Sequence, residues 1–229
     1  MLISVASSLT SVNDRDDERE YGLEDKVGVD LEGNDMTCRD WTEQWWSWLL
    51  GLEERDNPFV LTSPHLNTIE RSMGNQPNKF QTNCMEKRGQ SVWMGVSPPY
   101  GVEGLSRIKV PPKWSLLCSP YNAIASPEFY PDCNLEDLLK EDLDGVYELY
   151  ATLDGIRLNG CTVKPDGESF EVDLPVRNIF GAKPGKHHMV QHGHWVFLKP
   201  LPLGDHLLHL HGYSKNYQLD IRFHLLVQS

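Results

Sequence analysis

The sequence predicts a mainly β fold: a two-sheet β-sandwich or jelly roll with a Trp-rich N-terminal helix packed on it. Three observations carry that expectation. First, GVYELYATLDG, SFEVDLP, HWVFLKPL, HLLHLHGY and LDIRFHLLVQ are strand-like runs separated by turns at roughly the spacing of an antiparallel sandwich. Second, from 57 to 133 the chain is interrupted by NP, SP, QP, SPP, VPP and YP, which leaves no room for long helices. Third, one segment, TCRDWTEQWWSWLLG, has the period and the end signals of an amphipathic helix.

Taken in chain order, residues 1–35 are polar, acidic and aperiodic, and read as a flexible N-terminal arm that cannot offset its ordering entropy by burial. Residues 36–229 read as a single β-sandwich domain with a helix over 38–50. Thr37 with Asp40 three residues on resembles a capping box, and Gly51 is a natural stop. Trp41, Trp45, Trp48, Leu49 and Leu52 fall on one stripe, widened by Trp46 and Leu50, and a stripe this broad calls for the flat face of a sheet. SVWMGV, LSRIKV and WSLLCS then fit brief strands, and NLEDLLKEDL (134–143) a short helix with Asn134 as its N-cap. In the last run Ile221, Phe223, Leu225 and Val227 alternate with Arg222, His224, Leu226 and Gln228, the pattern of a half-buried strand.

The formal net charge of −12 is concentrated at the start: residues 1–56 hold 15 Asp/Glu against 5 Lys/Arg, and the remainder 18 against 16. A nearly neutral body without a basic stripe argues against nucleic acid as a partner. No run approaches the roughly 18 apolar residues of a membrane span. The chain therefore reads as soluble, with export or a cytoplasmic location left open, as is its oligomeric state. The five cysteines (Cys38, Cys84, Cys118, Cys133, Cys161) have no metal-ligand spacing. Cys118 and Cys133 flank the Pro-rich stretch SPYNAIASPEFYPD, which fits a loop-closing disulfide better than a reactive thiol.

The candidate chemistry is imidazole. Residues 187–194, HHMVQHGH, hold four histidines, and HLLHLH follows at 206–211. Side chains alternate along a strand, so His192 and His194 share one face, as do His209 and His211, each pair about 6.5 to 7 Å apart. Such a pair is half of a metal site, since imidazoles at that spacing can converge on one ion at about 2.0 to 2.1 Å per bond. If HGHWVFL and HLLHLHG form a hairpin, its register decides whether the pairs meet on one face, with His187 or His188 completing the set. Three readings stand side by side: histidines at the sheet rim with no ligand, a divalent transition metal (Zn, Cu, Fe or Mn), and a metal-free acid/base histidine.

Other chemistry is weaker. No GxSxG, SxxK or Cys/His signature marks a nucleophile, no GxGxxG calls for a nucleotide cofactor, and NDMTC and DLDG lack the twelve-residue calcium loop. The histidine pattern is similar in part to the metal motif of cupins, HxH on one strand and PxGxxH on another. Here PLGDH (202–206) brings its His one position early, and no Glu follows HGH at the cupin distance.

Across residues 41–227 the chain resembles a β-rich family of bacterial and archaeal proteins, many of them exported, with no established activity. The resembling residues are WTEQWWSW with the later Asn57 and Pro58, CMEKRGQSVWM, VPPKW, SPYNA, LDG, FEVDLPVRNIFG (with Asn178) and GHWVFLKPLPLGDH. Of the two histidine clusters only His206 belongs to that pattern, so the resemblance implies no family-wide metal site. It also implies a cysteine near Arg107 that this chain lacks, leaving an odd count.

The functional expectation is a β-sandwich protein with a histidine-lined divalent-metal site drawn from His192, His194, His209, His211, His187 and His188, a metal-dependent enzyme acting on a small molecule. The alternative is a non-catalytic ligand-binding or assembly module with an aromatic contact surface.

Overall fold

The alternation at the C-terminal end is realised in space: Ile221, Phe223, Leu225 and Val227 are buried, and Arg222 is exposed. The structure, a computed structural model, describes residues 26–29, 35–57, 84–87, 90–94, 103–214 and 218–228. Most of the expected acidic arm and the Pro-rich stretch 58–83 lie outside these residues.

In chain order the elements are β1 (Lys26–Val29), β2 (Asp35–Thr37), α1 (Cys38–Leu50), a 3-10 turn (Glu54–Asp56), β3 (Cys84–Lys87), β4 (Gln90–Met94), β5 (Glu103–Val110) and β6 (Ser115–Ala125). They continue with α2 (Leu135–Asp144), β7 (Val146–Leu153), β8 (Ile156–Arg157), β9 (Cys161–Val163), β10 (Phe170–Leu174), β11 (Gly185–Leu198), β12 (Gly204–Ser214) and β13 (Gln218–Val227). β1 and β2 form a small ribbon ahead of α1. The rest is a sandwich of two sheets. Sheet I has the order β10-β11-β6-β4-β3, with β9 also paired to β11, and sheet II the order β5-β13-β12-β7-β8.

Leu116, Cys118, Val196 and Leu198 of sheet I meet Leu208, Leu210, Ile221, Phe223 and Leu225 of sheet II in the central core. Each such fully buried side chain contributes roughly 1.5–3 kcal/mol. The other face of sheet I is covered by α1: Trp41, Trp45, Trp46, Leu49 and Leu50 pack on Val172, Leu174, Met189 and Trp195. Leu139 of α2 packs instead on Ala125 and Val190, which lie on the face of sheet I that carries Val196 and Leu198. The tryptophans Trp41, Trp45, Trp46 and Trp195 are therefore core, not an exposed contact surface.

α1 begins with a true capping box: the Thr37 N–H donates to Asp40 Oδ2 at 2.7 Å and the Asp40 N–H to Thr37 Oγ1 at 3.2 Å. Its buried stripe runs through Trp46 and Leu50, with Trp48 and Leu52 at the half-buried margin. Gly51 stops the helix in a right-handed conformation, φ −74°. Glycine is needed there because a Cβ would stand 2.8 Å from the Ser47 carbonyl oxygen, not because of handedness.

Two sequence expectations need correction. Cys118 and Cys133 are both free thiols, Cys118 buried and Cys133 exposed. They cannot close a loop, because β6 runs on through SPYNAIA to Ala125 instead of turning after Cys118. The disulfide is Cys38–Cys161, which ties the start of α1 to β9 across 123 residues of chain. Second, β11 and β12 do not form a hairpin. β11 pairs with β6 on one edge and with β9 and β10 on the other, and β12 pairs with β13 and β7, so the 199–203 connection crosses between sheets. The physical reason is that Val196 and Leu198 meet Leu208 and Leu210 face to face across the core, which strands adjacent in one sheet cannot do. Among the described residues no helix is long and apolar enough to cross a membrane.

Candidate metal centre

Alternation on three neighbouring strands of sheet II builds the site. On β12, Leu208 and Leu210 point into the core, which sends His209 and His211 to the outer face. On β13, buried Leu219 and Ile221 send Asp220 and Arg222 the same way, and on β7 buried Ala151 does so for Tyr150 and Thr152. Register then aligns them: His211 stands opposite Asp220 on one side and Tyr150 on the other, and His209 stands opposite Arg222 and Thr152.

The result is a cluster of potential ligands. His209, His211 and Asp220 each offer an atom, all within 4.8 Å of one another, and no other set of three or more His, Cys, Asp or Glu does so among the described residues. His209 Nε2 is 2.9 Å from Asp220 Oδ1, and His211 Nδ1 is 3.4 Å from Asp220 Oδ2. The remaining ring nitrogen of His211, Nε2, lies 3.1 Å from Glu148 Oε2. The Tyr150 ring stacks on the His211 imidazole, centroids 4.7 Å apart and 16° from parallel. The side chains of His209, His211 and Asp220 are 14 %, 15 % and 23 % exposed, so the cluster is recessed and partly exposed.

The electrostatics suit a ligand set. Burial, reinforced by the charge of Arg222 and by His211 and opposed by Asp220, holds His209 below the ordinary imidazole value, so its ring is neutral near pH 7. Burial, with the carboxylates of Asp220 and Glu148, raises the Tyr150 phenol above its ordinary value and keeps it protonated. His211 Nδ1 is buried and makes no hydrogen bond. This group could hold a metal ion.

The other histidines singled out from the sequence stand elsewhere. His192 and His194 are on β11 in sheet I, on the face that carries Val190, Val196 and Leu198. His192 is buried beneath α2 with Nδ1 3.1 Å from the Leu139 carbonyl, and His194 Nδ1 is 3.1 Å from Thr162 Oγ1. Burial, with the nearby charge of Arg157, lowers the His194 pKa. His187 and His188 lie within β11, opposite Val172 and Glu171 of β10. His187 Nε2 is 2.7 Å from the Lys183 carbonyl and its ring stacks on Phe129, while His188 is exposed. None of these four joins the cluster of His209 and His211. The two HxH pairs stay apart because their strands belong to different sheets.

Asp220, Glu148 and Tyr150 escaped the sequence reading. A signal for Asp220 exists: if β12 and β13 are the hairpin, Asp220 is the outward residue that precedes buried Ile221 and falls opposite His211. Comparison of the chain with protein-family models, with curated proteins and with solved structures finds no match.

Proposed function

We propose that His209, His211 and Asp220 bind one divalent transition metal ion (Zn, Cu, Fe or Mn), and that the protein works on a small molecule at that ion. The observation that carries the reading is the His211 Nδ1 atom, shut away from water with no hydrogen-bond partner and turned toward Asp220. A buried imidazole nitrogen left without a partner costs free energy, and an ion between the three side chains removes that cost. Bonds of about 2.0 to 2.1 Å place neighbouring donor atoms about 2.9 to 3.4 Å apart in octahedral or tetrahedral geometry. His209 Nε2 is 2.9 Å from Asp220 Oδ1 and His211 Nδ1 is 3.4 Å from the other carboxylate oxygen, Oδ2, and one ligand atom from each of the three residues falls within 4.8 Å of the others, so a small adjustment of these side chains brings them around one ion.

Glu148 has the position of an outer partner: its carboxylate accepts a hydrogen bond from His211 Nε2–H, which keeps the proton on Nε2 and leaves the Nδ1 lone pair to bind metal. Two imidazoles and a carboxylate from adjacent strands occupy one side of an ion and leave the solvent side open, the arrangement of metal centres that act on an exogenous molecule rather than of closed structural sites. An ion held there supplies Lewis acidity or lowers the pKa of a bound water.

Metal content tests the reading. Untagged protein equilibrated with zinc and freed of excess should retain about one equivalent by elemental analysis, His209→Ala and Asp220→Ala should retain little, and His192→Ala should behave as wild type. Absence of tight zinc, manganese, iron and copper from the wild type, or metal that survives loss of both His209 and His211, refutes it.

A further inference from the structure

Building on the proposed ion, we infer that its open side receives a small dicarboxylate, one carboxylate at the metal and the other at the guanidinium of Arg157. The cross-strand rows of sheet II carry this inference. Arg157 of β8 stands opposite Thr152, Thr152 opposite His209, and His209 opposite Arg222, so one row across the outer face reads Arg, Thr, His, Arg. Directly opposed residues share a face, and the ligand cluster is thus flanked by a guanidinium on each side.

The two arginines are not equivalent. Arg222 already serves Asp220, Nη2 to Oδ1 3.5 Å, with its side chain 52 % exposed. Arg157 has no carboxylate within 4.0 Å among the described residues. Its guanidinium carbon instead lies 5.7 Å over the ring of Tyr150, the same ring that stacks on His211. A planar, five-donor cation left without an anion beside a ligand cluster is poised for bidentate recognition of a carboxylate.

Charge points to the same class. With a divalent ion in place, Asp220 and Glu148 supply two negative charges against the ion, Arg157 and Arg222, leaving a formal excess of two positive charges on one open face. A neutral sugar or an amine gains nothing from that field, whereas a dianion neutralises it.

Cobalt(II)-loaded protein titrated with succinate tests the inference, read by the visible absorption of the bound cobalt. In the wild type, succinate should perturb the spectrum, and Arg157→Gln should require at least about tenfold more succinate while binding cobalt as tightly as wild type. Arg157→Lys should fall between them, and acetate and inorganic phosphate should be much weaker than succinate. Equal succinate dependence in wild type and Arg157→Gln, a cobalt spectrum blind to succinate, or phosphate acting as strongly as succinate overturns the dicarboxylate assignment and leaves the metal site standing. Failure of the folded wild type to bind cobalt or any other transition metal removes both.

Discussion

His206 Nδ1 lies 2.8 Å from Asp154 Oδ2, joining the turn between β7 and β8 to the beginning of β12. Asp154 sits in the left-handed region at φ 52° and also accepts the Leu207 N–H at 2.7 Å, while His206 Nε2 lies 3.0 Å from the Pro202 carbonyl. Burial alone would lower the His206 pKa, but the Asp154 hydrogen bond, the Pro202 carbonyl and the charges of Asp154 and Asp205 together hold it above the ordinary value. For Asp154 burial works upward, and the bonds from His206 and Leu207 outweigh it to hold the carboxyl low. A raised histidine stabilises fully below its unfolded pKa, about 6.5, and the benefit fades as pH rises through the folded value. A lowered aspartate stabilises above about 3.8 and fades only in stronger acid. His206→Ala should therefore cost more at pH 5.5 than at pH 8.5, the difference staying below about 1 kcal/mol because the pair is partly exposed. Urea midpoints at the two pH values measure it. An equal cost at both would mean that the imidazolium form adds nothing.

Trp195 is the pivot of the helix-to-sheet contact. It is fully buried and meets Trp45 and Trp46 edge to face, centroids 5.0 and 6.5 Å away. Trp195→Ala should cost about 3–5 kcal/mol, and Trp195→Phe clearly less, by thermal or urea unfolding. A loss under about 1 kcal/mol for the alanine variant would show that α1 does not depend on this ring.

Asn178 organises the bend between β10 and β11 with one side chain. Its Nδ2 donates to the carbonyls of Pro175 and Ala182, each at 2.9 Å, and its Oδ1 accepts the N–H groups of Phe180 and Ala182 at 3.2 and 3.0 Å. Only an amide can donate twice and accept twice in this place. Asn178→Ala should cost about 2–4 kcal/mol, and Asn178→Asp at least as much near pH 7, because its carboxylate would face two carbonyls. An aspartate variant as stable as wild type would contradict that bonding pattern.

Thiol chemistry separates the cysteines. The Cys38–Cys161 link closes a long loop, and its removal by paired serine substitutions should cost about 2–5 kcal/mol. In folded protein Cys133 should alkylate readily. Cys118 should stay protected, because complete burial pushes its thiol up to about 12. Peptide mapping of labelled, non-reduced protein checks both points, and rapid labelling of Cys118 would contradict its burial.

The capping box at Thr37 and the period-2 run from Ile221 to Val227 were legible because local sequence decides them: a hydroxyl three residues before a carboxylate, and apolar residues on one face of a strand. What was not legible is which strands become neighbours. HGHWVFL and HLLHLHG are close in sequence, yet they land in opposing sheets, and the sequence reading joined His192 and His194 to His209 and His211 on that mistaken adjacency. Pairing across a sandwich is set by long-range burial, which periodicity does not encode. Two of the three residues of the candidate cluster, His209 and His211, were visible as an HxH pair. Asp220 was hidden because an aspartate at the head of a strand looks like any solvated charge until its opposite neighbour is known.

The most direct test of the metal centre is anomalous diffraction from zinc-loaded crystals collected on both sides of the zinc absorption edge. A single strong peak about 2.0 to 2.1 Å from His209 Nε2, His211 Nδ1 and an Asp220 oxygen is the expected result. No anomalous peak beside these three residues, or one seated at His192 and His194 instead, would contradict the account.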